Sequence, residues 1–220
     1  MFLPNVLKVA PSASAQRLQQ LVEARLRPGA DKVAIDRRIW DLFGERWAVM
    51  FTDLSGFSRR VADFGIIQFL QTIHESVRLL TPCFESHDGI LLKVEADSLM
   101  VIFRRPQRAL ACAVAMQATL AEANLTLPPE EQILLCVGIG YGDMLRVGDE
   151  DVFGAEVNAA SKLGEDIAKA GEILVTDQVR LALGLEAGVG FEPLAEAPSG
   201  ATAAWRIIYR LPEQPAGRQG

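Results

Sequence analysis

The chain has 220 residues, half of them apolar, enough for one substantial buried core. Its 22 Lys and Arg stand against 28 Asp and Glu, and the formal charge of −6 repels polyanions, so nucleic acid and anionic membrane are excluded as principal partners. No apolar run approaches the roughly 20 residues that span a bilayer, so no membrane insertion is expected.

In chain order, Ala13-Ser14-Ala15 resembles a signal-peptidase site, but no positive charge precedes it and Pro4, Asn5 and Lys8 interrupt the apolar stretch. The start therefore reads as a cytoplasmic tail. Residues 12–26 carry Leu18, Leu21, Val22 and Leu26 at helical spacing, stopped by Pro28-Gly29, and residues 31–43 give a second amphipathic helix closed by Gly44. Packing on the chain's own core is the expected fate of both. Residues 1–44 form an N-terminal tail and helical segment, 45–211 the main domain, and 212–220 a polar, flexible tail.

The main domain opens with residues 47–52, apolar, β-branched and aromatic as a buried strand requires. Asp53 ends that strand, Gly56 frees the loop, and Ser58 can cap the next helix. Taken alone, this stretch reads first as a strand-to-helix turn whose aspartate caps. Residues 58–80 are helical, bounded by Pro82 and the Asp88-Gly89 turn. Residues 90–95 and 99–103 form a hairpin through Ala96-Asp97-Ser98. Pro106 opens a helix to about Asn124. A central strand spans 133–139 and continues after Gly140-Tyr141-Gly142 through 144–147. A helix over 154–170, a strand at 172–175, a helix at 177–183 and a weaker hairpin within 191–211 complete the pattern. Cys83, Cys112 and Cys136 lie in separate apolar segments and read as small core residues of a reducing compartment.

The order strand, helix, strand, strand, helix, strand is a split βαβ arrangement, so the fold class is α+β with a ferredoxin-like core: a central, mostly antiparallel sheet flanked by helices. In that topology Asp53 approaches Asp97 across 44 residues of sequence. Two converging carboxylates make a hard oxygen site suited to Mg²⁺ or Mn²⁺ with substrate phosphates.

With both acids in view, the sequence resembles the catalytic domain of class III nucleotidyl cyclases, the adenylate and guanylate cyclase family. The resemblance rests on Phe51-Thr52-Asp53-Leu54-Ser55-Gly56-Phe57-Ser58, then Asp88-Gly89 and Lys93-Val94-Glu95-Ala96-Asp97. It continues through Val137-Gly138-Ile139-Gly140 with Gly142, then Asp151-Val152-Phe153-Gly154-Ala155-Glu156-Val157-Asn158-Ala159-Ala160-Ser161-Lys162-Leu163, and Gly171-Glu172-Ile173-Leu174-Val175. It covers about residues 46–183, and weakly to 211.

The resemblance implies that a nucleoside triphosphate is cyclised to a 3′,5′-cyclic nucleotide with release of pyrophosphate, at the interface of a head-to-tail homodimer. It implies two Mg²⁺ or Mn²⁺ ions per site on Asp53, Asp97 and the Leu54 backbone, and a triphosphate cradled by the backbone of Leu54, Ser55, Gly56, Phe57 and Ser58. By the same resemblance Lys93 and Asp151 read adenine, favouring ATP, and Asn158 orients the ribose. Lys162 stands where the family keeps a transition-state arginine, retaining charge without the planar fork. Ala96 replaces a customary glycine, and Glu95 either pairs with Lys93 or joins the metal site. Strand alternation sets Lys93, Glu95 and Asp97 on one face and Leu92, Val94 and Ala96 on the other. No Lys or Arg lies in 191–204 to clamp the triphosphate, leaving Arg206 or Arg210. The alternatives to an adenylate cyclase are a cyclase-homology module that binds nucleotide or a partner and regulates, and a cyclase acting on a base other than adenine. His74 and His87 are read as non-catalytic.

Overall fold

The structure is a computed structural model and describes residues 12–56, 65–129, 131–184 and 188–211. Helices α1 (Ala13–Leu26) and α2 (Lys32–Phe43) begin at Ser12 and Asp31, whose side chains accept hydrogen bonds from the Ala15 and Ala34 N–H groups. Leu21, Ile39 and Phe43 bury one face of this helical hairpin with Leu18, Ile35 and Leu145 of the central strand. The hairpin thus packs on its own chain.

Strand β1 (Gly44–Leu54) is followed by α3 (Ile66–Ser86), the hairpin β2 (Ile90–Glu95) and β3 (Ser98–Phe103), and α4 (Pro106–Asn124). Then come β4 (Leu135–Val147), β5 (Asp151–Phe153), α5 (Ala155–Ser161) with a π-helical turn over Lys162–Ile167, β6 (Ile173–Thr176), α6 (Asp177–Leu183), β7 (Gly190–Pro193) and β8 (Ala204–Ile208). The sheet runs β2-β3-β1-β4-β6-β8-β7, with β5 paired to β4. Its pairings are antiparallel except β4 with β6. The first four strands take the split βαβ order, and β6, β8 and β7 extend it. One face, with Met50, Val101, Phe103 and Ile139, packs under α3, α4 and α6; the other, with Val49, Met100 and Met144, packs under α5. No helix among the described residues is long and apolar enough to cross a membrane. All three cysteines are free and buried.

Four local expectations are corrected. The helix containing Pro82 runs on to Ser86: Pro82 removes one ladder bond and crowds the preceding turn, and the Cys83 and Phe84 side chains beyond it are buried. The start of that helix at Ser58 lies outside the described residues. Gly140-Tyr141-Gly142 does not break β4, which stays paired with β1 from Leu54↔Leu135 to Gly44↔Leu145. The helix after Gly154 is α only to Ser161 and then widens to π, ending at Ile167. The widened turn is closely seated on the sheet: Gly164 lies so near β1 that a Cβ there would meet the Phe51 carbonyl oxygen at 2.7 Å. The fourth correction, on β2, bears directly on the site.

Candidate active site

Asp53 is the penultimate residue of β1, and Asp97 is the second residue of the two-residue β2–β3 turn. The β1–β3 register sets Thr52 against Leu99, so continuing it past the strand end brings Ser98 opposite Asp53 and Asp97 opposite Leu54, one position along from Asp53. The Asp97 carboxylate is an electrostatic neighbour of the Asp53 carboxyl. Burial, then Asp97, then Glu165 push the Asp53 carboxyl up to about 7, against the opposing pull of the Leu54 backbone. The Asp97 Oδ2 is buried with no partner. An orphaned carboxylate oxygen beside a second carboxylate fits a hard cation. Among the described residues no three His, Cys, Asp or Glu side chains gather as a metal cage. A pair suffices for an ion that completes its shell with water and phosphate oxygens.

An acid whose folded pKa exceeds its unfolded value costs nothing while protonated below about 4, costs progressively more as pH rises, and costs in full above about 7. Asp53→Asn removes that cost. The metal-free variant is expected to gain about 2 kcal/mol at pH 8, allowing for the half-buried position, and nothing near pH 4, as read by urea unfolding at both pH values.

Lys93 reaches the site through a β-bulge. The β2–β3 register passes from Leu91↔Val101 to Lys93↔Met100, leaving Leu92 as the extra residue. Leu92 and Lys93 therefore share the face of Met100, against the simple alternation expected from sequence. Lys93 Nζ donates to Asp151 Oδ2 at 2.5 Å, while Asp151 Oδ1 accepts from the Val152 N–H. Glu95, largely exposed, lies 3.9 Å from Lys93 Nζ, within ion-pair reach of the lysine. The Lys93–Asp151 pair borders two cavities. One of 110 Å³ is lined also by Phe51, Met100, Val157 and Glu165; the other, of 530 Å³, lies under α1 at Leu18, Val22 and Phe153.

Asn158 and Lys162 are exposed on α5 and at its end, and the Lys162 N–H still bonds to the Asn158 carbonyl, so the two stand one turn apart on one face. Lys162 Nζ donates to Ser199 Oγ at 2.6 Å. The loop after β1 differs from expectation at Ser55, whose N–H is taken by the Leu134 carbonyl at 2.8 Å and so is not free for phosphate. Gly56 adopts a φ of 83°, as a turn glycine should. Phe57 and Ser58 lie outside the described residues. Arg206 is no free phosphate clamp, since Glu172 at 2.9 Å and Glu192 at 2.8 Å already bind it; Arg210 is exposed just past β8.

Two acids escaped the sequence reading. Glu165 accepts from Ser98 Oγ at 2.6 Å and Ser161 Oγ at 2.5 Å. Its signal was the Ser161-to-Glu165 spacing of four. Buried Glu156 accepts from the Tyr141 N–H at 3.1 Å and Thr176 Oγ1 at 2.6 Å, tying α5 to β4 and β6, and burial raises its pKa.

A family model described as the adenylate and guanylate cyclase catalytic domain matches residues 44–198. The serine/threonine-protein kinase pkn2 of Myxococcus xanthus is 32% identical over 134 residues, which are 61% of this chain and 16% of that protein. The chain spans only 16% and 22% of the lengths of two curated relatives it matches. An adenylate/guanylate cyclase/hydrolase structure from Silicibacter pomeroyi superposes with a TM-score of 0.66 at 25% identity, over 76% of this chain and 99% of that one. The adenylyl cyclase CyaB of P. aeruginosa shares the fold with a TM-score of 0.63 at 17% identity, over 76% and 95% of the two chains.

Proposed function

The chain belongs to the adenylate and guanylate cyclase catalytic domain family, and we propose that it converts ATP to 3′,5′-cyclic AMP and pyrophosphate as a head-to-tail homodimer. The observation that carries this reading is the carboxylate pair, Asp53 with Asp97, whose buried Oδ2 lacks a partner. Domains of this family use divalent metals, bind nucleoside triphosphates and work as dimers. In this chain Asp53, Asp97 and the Leu54 carbonyl would hold two Mg²⁺ or Mn²⁺ ions. Ions held there would supply positive charge that lowers the pKa of the ribose 3′-hydroxyl and offsets the triphosphate charge.

The other groups act from the partner subunit's copy of the same surface. Lys93 donates to the adenine ring and Asp151 accepts from its exocyclic amine; their mutual bond at 2.5 Å keeps both aligned until the base replaces it. Guanine presents the opposite donor and acceptor at those positions, which supports ATP over GTP. Asn158 orients the ribose. Lys162 supplies positive charge to the phosphates as they gain charge in the transition state.

Incubating the purified protein with each of the four ribonucleoside triphosphates and Mn²⁺ or Mg²⁺, with products identified by mass, tests the proposal. Cyclic AMP is expected; no cyclic nucleotide under any condition would overturn it.

A second reading, a regulatory module with little turnover, draws on one observation: Lys162 is tied to Ser199 of its own chain and lacks the arginine fork. Lys162→Arg separates the two. On the enzyme reading kcat should rise about fivefold, the gain of a bidentate over a point-charge contact. An unchanged rate would move the phosphate role to another residue.

A further inference from the structure

The β2–β3 turn that carries Asp97 is held from outside. Ala96 has a φ of 52°, in the left-handed region, at the first central position of a two-residue hairpin turn, where glycine is the favoured residue. Asp88 and Ala96 are the two non-glycine residues with positive φ among the described ones. The turn has little packing to enforce this conformation. It sits at the tip of the outermost strand of the sheet, and Val94, Glu95 and Ala96 are exposed.

What crosses to it is Glu165. One carboxylate oxygen accepts from Ser98 Oγ, next in sequence to Asp97, at 2.6 Å, and the other accepts from Ser161 Oγ. Glu165 stands on a fixed base, because Leu163 is fully buried and Gly164 is pressed against β1 and β4. The π turn sets the phase of residues 162–167 apart from that of a continued α-helix, so this placement belongs to the irregular segment.

We propose that Ser98 and Glu165 form a latch that holds the strained Ala96-Asp97 turn in the conformation presenting the Asp97 carboxylate to Asp53. Both act as positioning residues, and the proposal rests on the reading of Asp53 and Asp97 as metal-holding. A hydroxyl bonded to a carboxylate on a rigid segment offsets the left-handed cost at Ala96. Without the latch the turn relaxes and the carboxylates separate. With glycine at 96 the same backbone conformation costs little, so the latch is dispensable.

The test is Mn²⁺ binding to the nucleotide-free protein, read from loss of the free-ion EPR signal, with thermal unfolding in parallel. Ser98→Ala should weaken Mn²⁺ binding about three- to tenfold with little change in thermal midpoint, while Ser98→Thr, which keeps the hydroxyl, retains wild-type affinity. In the Ala96→Gly background Ser98→Ala should cost less than about twofold, and in a Glu165→Ala background it should add nothing. An unchanged affinity for Ser98→Ala, or an equal loss with and without Ala96→Gly, overturns the latch while leaving the metal reading intact. If the wild-type protein binds no Mn²⁺, or Asp97→Ala leaves binding unchanged, the metal reading fails and the latch falls with it.

Discussion

Asp97→Ala is expected to reduce cyclic nucleotide formation by about 10³-fold or more while leaving the protein folded. The size follows from what the carboxylate pair has to do: stabilising phosphate charge through a bound cation is worth several kcal/mol in the transition state, and each 1.36 kcal/mol is a factor of ten. Preservation of the fold follows from position. Asp97 lies in a surface turn, and its removal relieves a like-charged neighbour of Asp53 rather than breaking a packed core contact. The variant should keep its far-ultraviolet circular dichroism and lose activity with either Mg²⁺ or Mn²⁺. A rate near wild type in a folded variant would refute the assignment of Asp97 to the metal pair.

The convergence of Asp53 and Asp97 was legible because it depends on topology. The element order fixes which strand lies beside the hairpin, and the period of two in β1 and β3 fixes the register. The placement of Lys93 was not, because a bulge leaves no mark in a run of Ile90-Leu91-Leu92-Lys93-Val94, where each residue fits either face. Pro82 misled for a related reason: proline signals a break, yet the helix continues through it to bury Cys83 and Phe84, and that burial offsets the lost ladder bond and the ring's clash with the preceding turn. The committed Ser55 N–H belongs to a strand pairing that extends beyond the sheet's assigned end, which no local pattern encodes. Glu165 was hidden by the expectation of an unbroken helix through residue 170, since the π turn changes which residues follow one another around the axis.

The same π turn and α5 are seated by glycines, and Gly138→Ala is expected to destabilise the protein by about 3 kcal/mol or more. Gly138, Gly140 and Gly142 alternate along β4 and so share one face of the sheet. A Cβ at Gly138 would stand 2.2 Å from the Ala160 carbonyl oxygen and 2.3 Å from the Gly164 nitrogen, and one at Gly140 would stand 2.3 Å from the Glu156 carbonyl oxygen. These neighbours are backbone atoms, so no rotamer change relieves the clash. The segment has to lift off the sheet, uncovering Val157, Ala160 and Leu163, which are buried against it. Gly171→Ala provides the comparison: its φ of 78° disfavours a side chain, but nothing lies within 4 Å, so about 1 kcal/mol is expected. Urea midpoints at constant m-value separate the two, and equal losses would remove the close approach as the reason for glycine at 138. Gly138→Ala should also lower activity in the fraction that remains folded, because Asn158, Lys162 and Glu165 all ride on the displaced segment. Gly171→Ala should leave turnover per folded molecule unchanged.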